Sequence, residues 1–139
     1  MRRSMICGWA LGALMALTAC GSTTTPAQPT PNPVTETFSN TLAPNGAFTH
    51  TFTASASGTV TATLTSVTPD NTVSIGFSMG TWLAATSTCS AVLANDAAVQ
   101  GATLSASAAT SGNFCVRLYD VGHVTADKPE TYTVTVTHP

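Results

Sequence analysis

Charge is what this chain has least of. Only 7% of its 139 residues are Asp, Glu, Lys or Arg, against roughly a quarter in an average soluble domain. The basic residues number four, Arg2, Arg3, Arg117 and Lys128. No basic patch can be built from so few, which excludes recognition of a nucleic-acid backbone. Low charge joined to 43% hydrophobic residues also excludes the disordered class, which needs many charges and few apolar side chains. Long apolar runs are missing too. The longest, Met5 to Ala19, falls short of the ~20 helical residues that cross a bilayer. Absent as well are His-Glu-x-x-His, Gly-x-Ser-x-Gly and Ser-x-x-Lys, the local signatures of several hydrolase classes.

What is present in excess is threonine, with 27 residues, and Thr, Val, Ala and Ser fill most of the chain after Thr35. Thr and Val are branched at Cβ and favour a pleated, half-buried surface over a helix. The length suits one domain.

The first twenty residues have a different character. Met1-Arg2-Arg3-Ser4 is a short positive segment, followed by the apolar run to Ala19. That order fits a secretory signal peptide. The border tetrad Leu17-Thr18-Ala19-Cys20, followed by Gly21-Ser22, resembles the lipobox of bacterial lipoproteins. The resemblance implies a leader over residues 1–19, cut before Cys20, whose thiol carries a diacylglyceryl group and whose new amino terminus is acylated. Palmitate is the expected label. Two or three acyl chains anchor stably where one does not. Residues 20–35 then read as the lipidated cysteine and a Thr/Pro-rich tether, too poor in large apolar side chains to build a core. The expected location is the bacterial cell envelope, with the domain outside the cytoplasm, in the periplasm or at the cell surface.

With Cys7 removed in the leader and Cys20 alkylated, Cys89 and Cys115 remain in an oxidising compartment and are expected to pair. A two-cysteine metal site would need further ligands, and no histidine lies close in sequence to either. Loss of Arg2 and Arg3 leaves two basic residues against six acidic ones, a formal charge of −4.

Residues 36–139 are expected to form the domain. Their dominant period is two. Thr59–Thr65 sends Val60, Ala62 and Leu64 one way and four threonines the other, and Thr131–Thr137 repeats the device with Tyr132, Val134 and Val136. Such alternation marks strands with one dry and one wet face. Ala47–Phe52, Val73–Met79 and Asn113–Leu118 alternate likewise, Ala102–Ala106 more weakly. Thr37–Leu42 should open the sheet, and a short strand is expected at Ser90–Leu93. Trp82–Ala98 is the one stretch of helical composition, interrupted by Thr86-Ser87-Thr88. Turn residues separate the runs at Pro44-Asn45-Gly46, Ser57-Gly58, Pro69-Asp70-Asn71, Asn95-Asp96, Ser111-Gly112 and Asp127-Lys128-Pro129. Seven or eight short strands so spaced predict an all-β antiparallel sandwich.

Gly112-Asn113-Phe114-Cys115-Val116-Arg117-Leu118-Tyr119-Asp120, followed by Tyr132-Thr133-Val134-Thr135-Val136, resembles the close of bacterial pre-peptidase C-terminal domains. Phe48-Thr49-His50-Thr51-Phe52 before Gly58-Thr59-Val60 resembles their opening strands. The resemblance implies a jelly-roll-like sandwich acting as an accessory module of secreted proteins. Some relatives bind calcium or polymeric ligands. The Asp-rich central strand of that family is replaced here by Val73-Ser74-Ile75-Gly76-Phe77, a departure that counts against calcium and leaves its binding open.

Candidate site residues are few. Tyr119 and Asp120, with His123 just beyond, form the most functional-looking loop. Asp120 could accept backbone N–H bonds in a turn, or ligate a cation with Asp127 or Asp70. His50 shares a face with Phe48 and Phe52 and reads as a core-edge histidine bonded to backbone. Trp82 either stacks on a sugar ring or caps the core. These observations predict a non-enzymatic envelope lipoprotein without cofactor. Its expected partners are the membrane, through the lipid on Cys20, and an envelope protein or glycan. The alternatives are a small envelope hydrolase with a site across Tyr119–His123, and a carbohydrate-binding module.

Overall fold

A computed structural model describes residues 31–139. The expected leader, Cys20 and most of the expected tether lie outside the described residues. Eight strands follow in chain order: β1 (Val34–Leu42), β2 (Ala47–Ala54), β3 (Gly58–Thr68), β4 (Ile75–Leu83), β5 (Thr88–Ala98), β6 (Thr103–Ala108), β7 (Gly112–Tyr119) and β8 (Glu130–His138). Strand β1 begins two residues ahead of the expected boundary at Glu36.

The strands form two antiparallel four-stranded sheets, ordered β1-β8-β3-β6 and β2-β7-β4-β5. The pairs β1–β8, β2–β7, β3–β6 and β4–β5 are those of one long hairpin, the first four strands against the last four, rolled into two layers. That is the jelly-roll arrangement. The alternating faces explain why it closes. Val60, Ala62 and Leu64 of β3 and Tyr132, Val134 and Val136 of β8 face Phe77 and Met79 of β4 and Val116 and Leu118 of β7. All are buried in one core.

The threonines occupy the other face of the first sheet. Hydroxyls bond across neighbouring strands at Thr35–Thr137 (3.1 Å), Ser39–Thr133 (2.9 Å), Thr41–Thr131 (2.8 Å) and Thr63–Thr103 (3.2 Å). Such pairs stabilise a sheet while leaving its outer face wet.

Three strands depart from simple alternation. In β3 the register shifts between Leu64 and Ser66, which puts Val67, not Ser66, into the core. Strand β5 is longer than the expected Ser90–Leu93 and carries two bulges. The pairings Met79↔Leu93 then Gly80↔Ala91, and Ile75↔Ala98 then Phe77↔Asn95, each leave an extra residue on β5. The bulges scramble its period, and its alanines supply the helical composition seen in the sequence.

Strand β4 is the third. Ile75 to Gly80 are all buried, because the outward side is covered as fully as the inward one. Ile75, Phe77 and Met79 enter the core; Gly76, Ser78 and Gly80 face the other way. The Tyr119 ring lies over Gly76, where an added Cβ would come within 2.1 Å of a ring carbon. The expected disulfide, Cys89–Cys115, joins the strands on either side of β4. Strands two places apart in a flat sheet sit about 9.5 Å from one another, yet these Cα atoms are 5.8 Å apart. Strand β5 therefore rides over β4, and a Cβ at Gly80 would meet the Ser90 carbonyl oxygen at 1.9 Å.

Gly80→Ala is accordingly expected to destabilise the domain by about 3 kcal/mol, since backbone must move to admit the methyl group. Gly76→Ala displaces only a ring and should cost about 1 kcal/mol less. Urea unfolding of the oxidised protein checks both; equal midpoints for wild type and Gly80→Ala would contradict the packing described.

Candidate functional site

The antiparallel pairing sorts the loops to two ends of the sandwich. One end gathers the start of β1, the end of β8, and the β2–β3, β4–β5 and β6–β7 turns. The other gathers the β1–β2, β3–β4, β5–β6 and β7–β8 connections. Trp82 belongs to the first end and Tyr119, Asp120 and His123 to the second. Strand β4 pairs with β7 at Thr81↔Phe114 and at Gly76↔Tyr119, five positions or roughly 16 Å apart. The sequence-predicted residues therefore make two separate places.

At the second end, Asp120 is fully engaged. Its Oδ1 accepts the N–H groups of Gly122 (2.8 Å), His123 (2.9 Å) and Val124 (3.0 Å), and its Oδ2 accepts that of Asn45 (2.8 Å). The Asp120 N–H in turn donates to the Gly46 carbonyl at 2.9 Å. The carboxylate thus shapes the start of the β7–β8 loop and ties it to the β1–β2 turn. Burial pulls its pKa upward, but the four N–H donors outweigh that and hold it below the usual carboxylate value.

The neighbours of Asp120 are committed too. The Tyr119 hydroxyl donates to the Asp96 carboxylate, and the Arg117 guanidinium sits 4.9 Å from the Tyr119 ring centroid. The bond to Asp96, followed by burial, raises the phenol pKa. The His123 Nδ1 donates to the Ser74 carbonyl at 3.2 Å. Asp70 is held by the Thr72 hydroxyl (2.6 Å) and N–H (3.0 Å) and stands 4.0 Å from the Lys128 ammonium. Among the described residues, no group of three or more His, Cys, Asp or Glu side chains converges on one point.

The histidines lie apart. His138 bonds Glu36 at 2.9 Å and stacks on Phe52. His50 bonds the hydroxyl of Tyr132 at 2.6 Å, between the two sheets, and stacks on Phe38. The expectation of a backbone partner for His50 is thereby corrected. A buried tyrosine hydroxyl needs a partner, and the imidazole is the group that faces it. Burial lowers the His50 pKa and raises that of Tyr132.

The first end carries a concavity. A groove of about 390 Å³ opens at the corner between β4 and β5 on one sheet and β6 on the other. Its walls include Val60, Met79, Ala108, Phe114 and the half-buried Trp82. Thr110, Ser111 and Asn113 supply a polar margin. Val92, the extra residue of a β5 bulge, lines it while 71% exposed. The sequence places Val92 in a strand and Ser111-Gly112 in a turn, but carries no sign that they line a common groove. For the exposure of Val92, the adjacent pair Val92-Leu93 was the available signal, because two apolar neighbours in a strand force a bulge or an exposed side chain.

No protein-family model matches this chain, and no curated protein matches it.

Two outcomes test these assignments. Asp120→Ala should lower stability by about 2–3 kcal/mol through its lost charge-assisted bonds, as read by denaturant midpoint near neutral pH. His50 binds fewer protons folded than unfolded. Stability is therefore whole above the unfolded pKa near 6.5 and falls as pH drops from there through the lowered folded value. His50→Gln should flatten that part of the stability–pH curve, and an unchanged slope would remove His50 as its source.

Proposed function

We propose that this chain is a lipid-anchored protein of the bacterial cell envelope, fastened at Cys20 and presenting the sandwich beyond a Thr/Pro tether. Its role is binding or envelope structure rather than catalysis. The observation that carries the reading is the border at Leu17-Thr18-Ala19-Cys20, an apolar run ending in small residues and a cysteine, followed at once by uncharged tether. The thirteen residues between Cys20 and Val34 reach about 40 Å when extended. The jelly-roll order of the strands accords with the likeness to pre-peptidase C-terminal domains, at the level of fold alone.

A hydrolase built across Tyr119–His123 receives less support. Both oxygens of Asp120 already accept backbone N–H groups, and Tyr119 and His123 point their polar atoms at Asp96 and Ser74. The Tyr119 ring is already faced by the Arg117 guanidinium. The carbohydrate reading rests on Trp82 and the polar margin of its groove.

Cys20→Ala is expected to abolish metabolic labelling with palmitate and to move the protein from the membrane fraction to the soluble one. Labelling that survives this change would overturn the anchor.

A further inference from the structure

The two ends of the sandwich differ in charge as well as in shape. Asp70, Asp120, Asp127, Lys128 and Glu130 lie in or beside the connections at the second end, and Asp96 and Arg117 lie in the half of the sheet next to it. Among the described residues, the first half holds one charged side chain apart from histidine, Glu36, and that is bonded to His138. Its three turns read Ser55-Ala56-Ser57, Ala84-Ala85-Thr86-Ser87 and Ala109-Thr110-Ser111. They contain no ionisable side chain.

Most of the exposed large apolar side chains among the described residues lie in that half, where side-chain charge is sparse. Val34 (48% exposed), Leu83 (46%) and Val92 (71%) lie there, while Val99 alone is at the acidic end. Trp82 immediately precedes Leu83 and lines one groove with Val92. Trp82 and Val92 on one groove, with exposed Leu83 on the other face of the same strand end, make a corner without ionisable side chains that fits the interfacial zone of a bilayer, where tryptophan is enriched.

Pro31 and Pro33 lie beside Ser57 and His138 ahead of β1, so the chain that precedes the described residues joins the domain at this same end. We propose that the Trp82–Leu83–Val92 corner is a lipid-docking surface, seated on the phospholipid bilayer that holds the Cys20 acyl chains, with the acidic end directed away. This rests on the anchoring reading and adds to it the surface that meets the membrane. Charge and connection agree on the direction. An anionic headgroup layer repels the acidic end over about a Debye length, ~8 Å at physiological salt, and acts less on the other, where Glu36 is bonded to His138. A short tether keeps the corner near the surface at an effective concentration on the order of millimolar. A patch too small to bind from solution is enough to orient a domain so held.

The protein carries its own reporter. Trp9 leaves with the leader, so Trp82 is the single tryptophan of the mature chain. The lipidated mature protein is reconstituted into phosphatidylethanolamine–phosphatidylglycerol vesicles, with and without brominated acyl chains. Bromolipid should quench Trp82 emission by about twofold, and shield it from aqueous acrylamide. Leu83→Ser with Val92→Ser, both at exposed positions that leave the core intact, should abolish the quenching while the protein still floats with the vesicles. Flotation with Trp82 unquenched by bromolipid and open to acrylamide overturns the docking surface and leaves the anchor standing. Quenching by a soluble chitooligosaccharide, without any by bromolipid, assigns the groove to sugar and overturns it equally. A protein that neither floats nor carries acyl mass brings down the anchor, and the docking surface with it.

Discussion

The second sheet depends on a strand that is bare on its outer side. Gly76, Ser78 and Gly80 present almost nothing outward from β4, and into that space come the Tyr119 ring, the β5 backbone and the bridge from Cys115 to Cys89. Side chains from β7 therefore reach across β4 to β5, at Cys115–Cys89 and again at Tyr119–Asp96. Two clasps over a glycine floor fasten an edge strand whose own ladder is broken by bulges. The same arrangement leaves Val92 outside the ladder, on the margin of the groove. Structure at the clasp and exposure at the groove are two results of one packing choice.

The two sheets solve the same problem differently. The first keeps a wet outer face and ties it with hydroxyl pairs, which asks for threonine at every second position. The second dries its outer face around β4, which asks for glycine and serine opposite large core residues. Between them, His50 and Tyr132 make a polar contact from one sheet to the other. The ends divide the remaining work. At one, Asp120 and Asp70 organise long connections; at the other, short turns of Ala, Ser and Thr need no such organiser and leave the surface free of charge.

Most of the architecture was legible in the sequence because β8, and β3 as far as Leu64, bury one face each, so a period of two exposes their direction. What was illegible has a local cause in each case. Strand β5 reads as helical or short because its bulges at Val92 and near Asp96 reset the phase, and its alanines favour a helix when taken alone. Val67 lies beyond a register shift that the Leu64–Ser66 pattern conceals. Ile75–Gly80 shows alternation, but nothing in the order Gly-Phe-Ser-Met-Gly reveals that the small side is roofed. The candidate site fared similarly. Trp82 could be picked out, whereas its neighbours in the groove arrive from Val60, Ala108 and Phe114, and only the folded pairing brings them together. Asp120 could be read as a turn former or a ligand, and its four N–H donors come from two connections distant in the chain.

The rolled hairpin also sets an order of events. Strand β8 is the last in the chain but sits inside the first sheet, between β1 and β3, and β1 pairs with it across nearly the whole domain. Neither the β1–β8 nor the β3–β8 ladder can form until that strand has been synthesised. With contacts so remote in sequence, folding is slow relative to that of helical domains. A product truncated before Glu130 keeps the β3–β6 pair but has no strand to join it to β1.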